Sequence, residues 1–436
     1  MNYNNHRNIA RITLEAETPL AISSGDKSLV TDSSIMKDVN SLPYIPGTSL
    51  AGALRNMLEV NGVDTNILFG YQMQNDGAGS RLIVSDAKMV GCDGKVVDGL
   101  KSVDYSNAFY NQFLNLPLRH HARMSDKGTV SGMGKYDEEI VYKGTRFCFE
   151  VEIVSSTDES DYLKKLIKCL NSEILRIGGG SRKGFGKLKI IKCEIANLDL
   201  TKPEDLNSYL SKSSDLSYCW TGYEPYNVIG EFEASQWKKY VLSLTPSNFF
   251  LFAAGYGDDE ADLVPLKETV VKWIKGKGLI KDEYSIIPAS SVKGSISHRI
   301  AYHYNKLNNW TVESGKAKVG EDNPAVLSLF GGSKDKKCRG NVIISDVFLS
   351  SAKTKLFNHV AIDKITGGAK KGALFDEKVC SSNSFELIVM VDETVLKKDS
   401  LIEKALENTL SDICSGLLPL GGGTNKGYGT FKGKIN

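Results

Sequence analysis

Gly178-Gly179-Gly180-Ser181-Arg182-Lys183-Gly184-Phe185-Gly186 returns near the end of the chain as Gly421-Gly422-Gly423-Thr424-Asn425-Lys426-Gly427-Tyr428-Gly429. Five glycines and one lysine fall at the same places, and the likeness extends upstream in the same order. Ile45-Pro46-Gly47-Thr48-Ser49-Leu50-Ala51-Gly52 echoes Ile287-Pro288-Ala289-Ser290-Ser291-Val292-Lys293-Gly294. Leu68-Phe69-Gly70 returns as Leu329-Phe330-Gly331, and Leu82-Ile83-Val84-Ser85-Asp86 as Val342-Ile343-Ile344-Ser345-Asp346. Order is kept while spacing drifts, which is the mark of a duplicated domain with unequal insertions.

Each copy reads alike. An alternating strand (Arg11 to Glu17; Tyr240 to Leu244) leads into a long polar loop. A helix follows, with Thr48 or Ser49 and Ser290 or Ser291 as expected N-caps and Leu50, Leu54, Met57, Leu58 or Val292, Ile296, Ile300 on one face. A β-rich middle (Arg81 to Ala87 and Arg146 to Val154; Asn341 to Leu349 and Ser384 to Val391) precedes a second amphipathic helix, the glycine run and a last strand. The order β-α-β-β-α-β predicts an α+β protein of two tandem ferredoxin-like, RRM-like domains. We place them at 1–197 and 236–436, joined by a polar linker at 198–235 in which Trp220, Tyr223 and Tyr226 are the candidate anchors.

The composition fits this plan. The chain has 436 residues with 41% hydrophobic and 24% charged, ordinary globular values that argue against disorder. Fifty-four Lys and Arg against 52 Asp and Glu leave a net charge of +2, so local clustering must decide whether a polyanion is bound. The eight cysteines show no Cys-x-x-Cys spacing, which excludes the common zinc and redox motifs and predicts reduced thiols. No apolar run reaches membrane-helix length, and the polar start lacks a signal-peptide core; the expected location is the cytoplasm.

Three segments carry candidate chemistry. The glycine runs combine backbone amides with cations and no acid: Arg182, Lys183, Lys187, Lys189 and Lys192 in the first copy, Lys426, Lys432 and Lys434 in the second. That composition suits phosphates. Neither run matches the Walker or the dinucleotide template. Between the middle strands lie basic excursions read as protruding hairpins. The first holds Arg119, His120, His121, Arg123, Lys127 and Lys135; the second holds Lys353, Lys355, His359, Lys364, Lys370 and Lys371. They would grip an anionic strand. In the loop after the first strand, Asp32 stands five positions before Lys37 and Asp262 five before Lys267, with Asp26, Asp38, Asp258, Asp259 and Glu260 nearby. Such an Asp can orient or deprotonate a ribose 2′-hydroxyl, or hold Mg²⁺ through water. His298 and His303 are five apart rather than four, so a helical zinc pair is not expected. No nucleophile elbow is present.

Taken as an ordered set, the Tyr44-Ile45-Pro46-Gly47-Thr48-Ser49-Leu50 start, the Leu-Phe-Gly and Ser-Asp elements, the segment His359 to Glu377 and the glycine runs resemble the RAMP superfamily of CRISPR systems. The likeness is strongest to the backbone subunit of type III effector complexes and the related subtypes D and E. The resemblance implies a tandem fusion of two backbone-type domains, each with a thumb hairpin and a C-terminal glycine loop. Guide RNA would lie on Gly179, Gly180, Arg182, Lys183 and Gly184, on Gly422, Gly423, Lys426 and Gly427, and on the helix starts at Ser49, Ser291 and Lys293. The thumbs would supply His120, His121, Arg123, His359 and Lys364. By position the family's catalytic Asp corresponds to Asp32 and, in the second copy, Asp262, supporting Mg²⁺-dependent cleavage of a complementary target RNA within a complex of other effector subunits. The second copy departs with Pro-Ala for Pro-Gly and with a longer acidic loop. The alternatives are a non-cleaving guide-binding scaffold or capping subunit, and a metal-independent endonuclease that processes repeat RNA.

Overall fold

The computed structural model describes residues 4–25, 31–74, 76–125, 128–230, 232, 236–332 and 337–436, and only the backbone of Ser131, Met133, Lys281 and Asp282. Asp26 and Lys127, named above, lie outside the described residues.

The first copy is built on one antiparallel sheet. Its strand order is Leu188–Asp199, His6–Ala16, Arg146–Ser155, Leu82–Val84. In chain order those strands are the fourth, first, third and second, the ferredoxin-like arrangement. The second copy repeats it: Phe431–Ile435, Trp237–Pro246, Phe385–Asp392, Val342–Ile344. Ile12 and Leu14 are fully buried either side of the less buried Thr13, as are Leu242 and Leu244 either side of Ser243. Two helices cover the inner face of each sheet, Gly47–Val60 with Ser160–Leu170 and Ala289–Leu307 with Ser400–Ser415. The predicted faces point inward: Leu50, Leu54, Met57 and Leu58 are buried, as are Val292, Ile296 and Ile300. Each such side chain contributes about 1.5–3 kcal/mol of burial.

The helix caps correct the sequence reading. Thr48, Ser49, Ser290 and Ser291 do not cap: the chain enters both helices at Pro46 and Pro288 with no side-chain cap. The orphan amides are met from across the sheet instead. Asp86 Oδ1 accepts from Gly47 N at 3.0 Å, and Asp346 Oδ1 from Ala289 N at 2.7 Å.

Two segments read as loops are structured. The stretch between the copies forms a helix (Pro203–Leu210) and packs on the outer face of the first sheet. There Trp220 is buried, while Tyr223 OH donates to Glu150 at 2.6 Å and Tyr209 OH to Glu152 at 2.7 Å. In the second copy, strands Lys267–Ile274 and Lys277–Ile287 form a hairpin that reaches back to the first copy. Val271 enters the first copy's core, Val271 N donates to Lys143 O at 2.8 Å, and Trp273 Nε1 donates to Gly144 O at 2.8 Å under the Arg146 guanidinium.

Among the described residues no helix is long and apolar enough to cross a membrane, and all eight cysteines are free thiols. His303 is committed to Asp412 at 2.7 Å.

Candidate nucleic-acid interface

Each glycine run folds into the same compact turn. Gly179 N donates to Ala21 O at 2.6 Å and Gly422 N to Leu251 O at 2.7 Å; Lys183 N donates to Gly180 O at 2.7 Å and Lys426 N to Gly423 O at 2.8 Å. The turn needs φ near +65° at Gly180 and +67° at Gly423, the left-handed region that glycine enters without strain. Gly179 and Gly422 are exposed.

The turns present their lysines to the hairpins. In the first hairpin (Leu118–Met124 with Val130–Glu139) His121 lies opposite Tyr136, stacked at 4.8 Å. Its Nε2 stands 2.7 Å from Glu138 Oε1, at ion-pair distance but outside hydrogen-bond geometry. Lys183 donates to Tyr136 OH at 2.7 Å and sits over that ring. In the second hairpin (Lys353–Ile362 with Ala369–Ser381) His359 stacks on Phe375 at 4.8 Å, with Nε2 2.7 Å from Glu377 Oε1, again outside hydrogen-bond geometry. Lys426 donates to Glu377 Oε2 at 2.9 Å and sits over Phe375. Burial pushes both carboxyls up, but the neighbouring cations and donors prevail: His121 and Lys183 for Glu138, Lys426 and Tyr428 for Glu377. Both acids end below the usual range.

Asp32 and Asp262 occupy twin positions. Asp32 Oδ2 accepts from Asp137 N at 3.2 Å, and Asp262 Oδ2 from Asp376 N at 3.0 Å. Each carboxylate is thus held at the base of its hairpin, exposed, beside the turn that carries the lysine. The surroundings differ: Asp137 meets His120, whereas Asn358 stands opposite Asp376, whose buried Oδ1 has no hydrogen-bond partner. Asp258 and Glu260 are taken up by Lys378.

Cations gather where the first glycine turn meets the second copy. Arg182 Nε donates to Gly340 O at 3.0 Å, and its Nη1 is buried without a hydrogen-bond partner. Burial, then Arg339 and Arg176, pull Arg182 down to about 9; burial, then Lys183 and Arg182, pull Lys293 down to about 8. Such a cluster of like charges is short of an anion. Arg176 and Arg339 were not among the sequence candidates, since nothing in their local sequence announces this meeting.

Arg119 corrects the reading of the basic hairpin. It faces inward, 2% exposed, with Nη1 2.6 Å from Asp346 and a second carboxylate contact to Glu268. His121 is also buried, whereas Arg123 and Lys364 are exposed, His120 and His359 half-buried, Ser291 exposed and Ser49 half-buried. Gly184 is buried against Ala289 and Asp346, while Gly427 faces open space.

Among the described residues no group of three or more His, Cys, Asp or Glu could by itself hold a metal ion. Asp32 and Asp262 each keep one oxygen outside the backbone hydrogen bond, a donor of the kind Mg²⁺ takes alongside phosphate and water, while the orphaned Asp376 Oδ1 belongs to the second copy alone.

The family model of the RAMP superfamily matches residues 13–189 and again 271–432. The CRISPR system Cms endoribonuclease Csm3 of Streptococcus thermophilus is 32% identical over 171 residues, 35% of this chain and 71% of that protein. With two separate matches on two sheets of the same strand order, the chain belongs to the RAMP superfamily and carries its domain twice.

Proposed function

We propose that this chain is a guide-RNA-binding backbone subunit of a type III-like CRISPR effector complex, and that each copy cleaves a target RNA paired to the guide. The observation that carries the reading is the repeated placement of Asp32 and Asp262 against the amides of Asp137 and Asp376, at the foot of a hairpin and beside a lysine-bearing glycine turn. The likeness to an endoribonuclease of a CRISPR system supports it. Arg182, Lys183 and Lys293 take guide phosphates, which fixes register without reading sequence; base pairing supplies specificity. The exposed hairpins, through Arg123 and Lys364, separate stretches of the paired strands.

The reaction is in-line attack by the ribose 2′-hydroxyl on the adjacent phosphate. The carboxylate of Asp32 or Asp262 orients that hydroxyl and takes its proton, held in place by the hairpin amide. The O2′–P bond forms as the P–O5′ bond breaks, and the leaving oxygen takes a proton from water, giving a 2′,3′-cyclic phosphate and a 5′-hydroxyl. Bound Mg²⁺ would neutralise charge on the scissile phosphate.

The test is to purify the chain with its neighbouring subunits and bound RNA, then offer a complementary RNA. A 2′-deoxyribose at the cut position should block that cut alone, and chelation of Mg²⁺ should stop both. Cutting that survives the deoxy substitution excludes the mechanism. Cutting of the guide precursor, insensitive to chelation, would favour a processing endonuclease.

A further inference from the structure

The two aspartate seats differ in the residue across the hairpin. In each copy the amide that holds the aspartate belongs to a second aspartate, Asp137 N on Asp32 at 3.2 Å and Asp376 N on Asp262 at 3.0 Å. Side chains alternate along a strand, so the residue directly opposite that second aspartate shares its face. In the first copy it is His120; in the second it is Asn358.

His120 is placed as a proton donor. Its Nδ1 meets Asp137 Oδ1, and among the described residues no other hydrogen bond engages the ring. With Nδ1 so held, Nε2 is turned away from Asp137. The side chain is 28% exposed, which leaves Nε2 open to a strand lying over the hairpin base. Tyr256, from the second copy, meets the ring edge-to-face at 6.0 Å and limits its swing. The neighbouring His121 faces the other side, buried beside Glu138 and stacked on Tyr136. Asp137 therefore holds Asp32 by its amide and the imidazole by its carboxylate. The amide side chain of Asn358 cannot transfer a proton, and Asp376 Oδ1 beside it is buried without a hydrogen-bond partner.

We propose that His120 is the general acid of the first cut, protonating O5′ as the P–O5′ bond breaks, with Asp137 as its positioning residue. The assignment rests on Asp32 being the base of that cut. Asp32 takes the 2′-hydroxyl proton as O2′ bonds to phosphorus, and the imidazolium gives its Nε2 proton to the departing O5′ in place of water. Solvent then removes the proton from Asp32 and returns one to His120, which closes the cycle. The second copy holds no such acid, and its leaving oxygen depends on water.

The test uses the chain purified with its neighbouring subunits and guide RNA, and complementary targets in which sulfur replaces the bridging O5′ at one cut or the other. A thiolate departs without protonation, so sulfur removes the need for an acid and nothing else. His120→Asn, which installs the second copy's residue, should slow the first cut of the all-oxygen target by about 10²–10⁴-fold, the contribution of a positioned acid, and spare the second cut. Sulfur at the first cut should return the variant to the wild-type rate, a rescue that a merely structural role would not give. A first cut that keeps its wild-type rate in His120→Asn, or that is lost equally on both targets, overturns the proposal. In the unaltered chain, sulfur should speed the second cut more than the first; equal effects also overturn it, and that measurement stands even where the variant fails to fold. Asp32→Ala should abolish the first cut on both targets, since the 2′-hydroxyl still lacks its base. A first cut that survives Asp32→Ala removes the base and, with it, the acid assigned beside it, whereas a failure of His120 alone leaves Asp32 in place.

Discussion

The two glycine turns have the same backbone and opposite surroundings. Gly184 in the first is buried against Ala289 and Asp346, with Arg182 drawn across to the second copy; Gly427 in the second opens to solvent, with Asn425 where Arg182 would be. One motif therefore serves as a domain joint in one place and as a free surface in the other. What a motif does is decided by what its fold sets against it, and the duplication makes that visible within one chain.

The comparison breaks most sharply at Arg119. Arg119→Ala leaves Asp346 and Glu268 buried without their cation and should cost about 3–5 kcal/mol of stability, read from denaturant midpoints. Phe357→Ala, at the twin position, strands no charge and should cost less. Equal losses would mean that the junction is not held by the buried ion pairs.

The glycines sharpen it. An added methyl at either Gly184 or Gly427 forces alanine into positive φ, a strain of roughly 1–2 kcal/mol. At Gly184 that methyl would also stand 2.4 Å from Asp346 Oδ1 and 2.8 Å from the Ala289 Cβ, adding about 1–3 kcal/mol of overpacking. Thermal melts of the two alanine variants should therefore separate, with Gly184→Ala lower.

The first junction should also carry a pH dependence, through Lys293. Lys293 is held at about 8 in the folded chain against 10.5 when free, so the folded state gives up its proton first. The cost of keeping it charged is fully present below pH 8 and is relieved as pH rises toward 10.5. The free protein should gain stability over that window. A bound phosphate favours the charged form, so RNA binding should take up a proton near pH 8 and weaken as pH rises. Lys293→Met should flatten both trends relative to wild type, measured by melts and by RNA titrations across pH 7–10; unchanged slopes would remove Lys293 from the phosphate path.

The strand order was legible because the same ordered motifs occur twice, and because Ile12, Leu14, Leu242 and Leu244 alternate as buried strands must. The helix caps were not. Ser and Thr near a helix start are an N-cap signal by habit of local sequence, but here Asp86 and Asp346 do the work from 39 and 57 positions away. The hairpin Lys267–Ile287 was read as loop because its apolar residues Val271 and Trp273 serve the other domain's core, which no local pattern displays. Arg119 sat in a basic run and looked like a phosphate ligand; its partners Glu268 and Asp346 lie 149 and 227 positions away. The matching positions that could be paired from sequence were those repeated in both copies, Asp32 with Asp262 and Lys183 with Lys426. Arg182 and Lys293 were named singly, but their meeting with Arg176 and Arg339 between the copies could not be read from either stretch.

The account stands or falls on whether the twin aspartates do twin chemistry. Asp32→Ala and Asp262→Ala should be assembled separately with guide RNA and offered one complementary target labelled at its 5′ end. Each variant should keep full target affinity and lose one cut by about 10²–10⁴-fold while sparing the other, the range for removing a positioned base. Two cuts surviving in both variants, or both lost in either one, would contradict it.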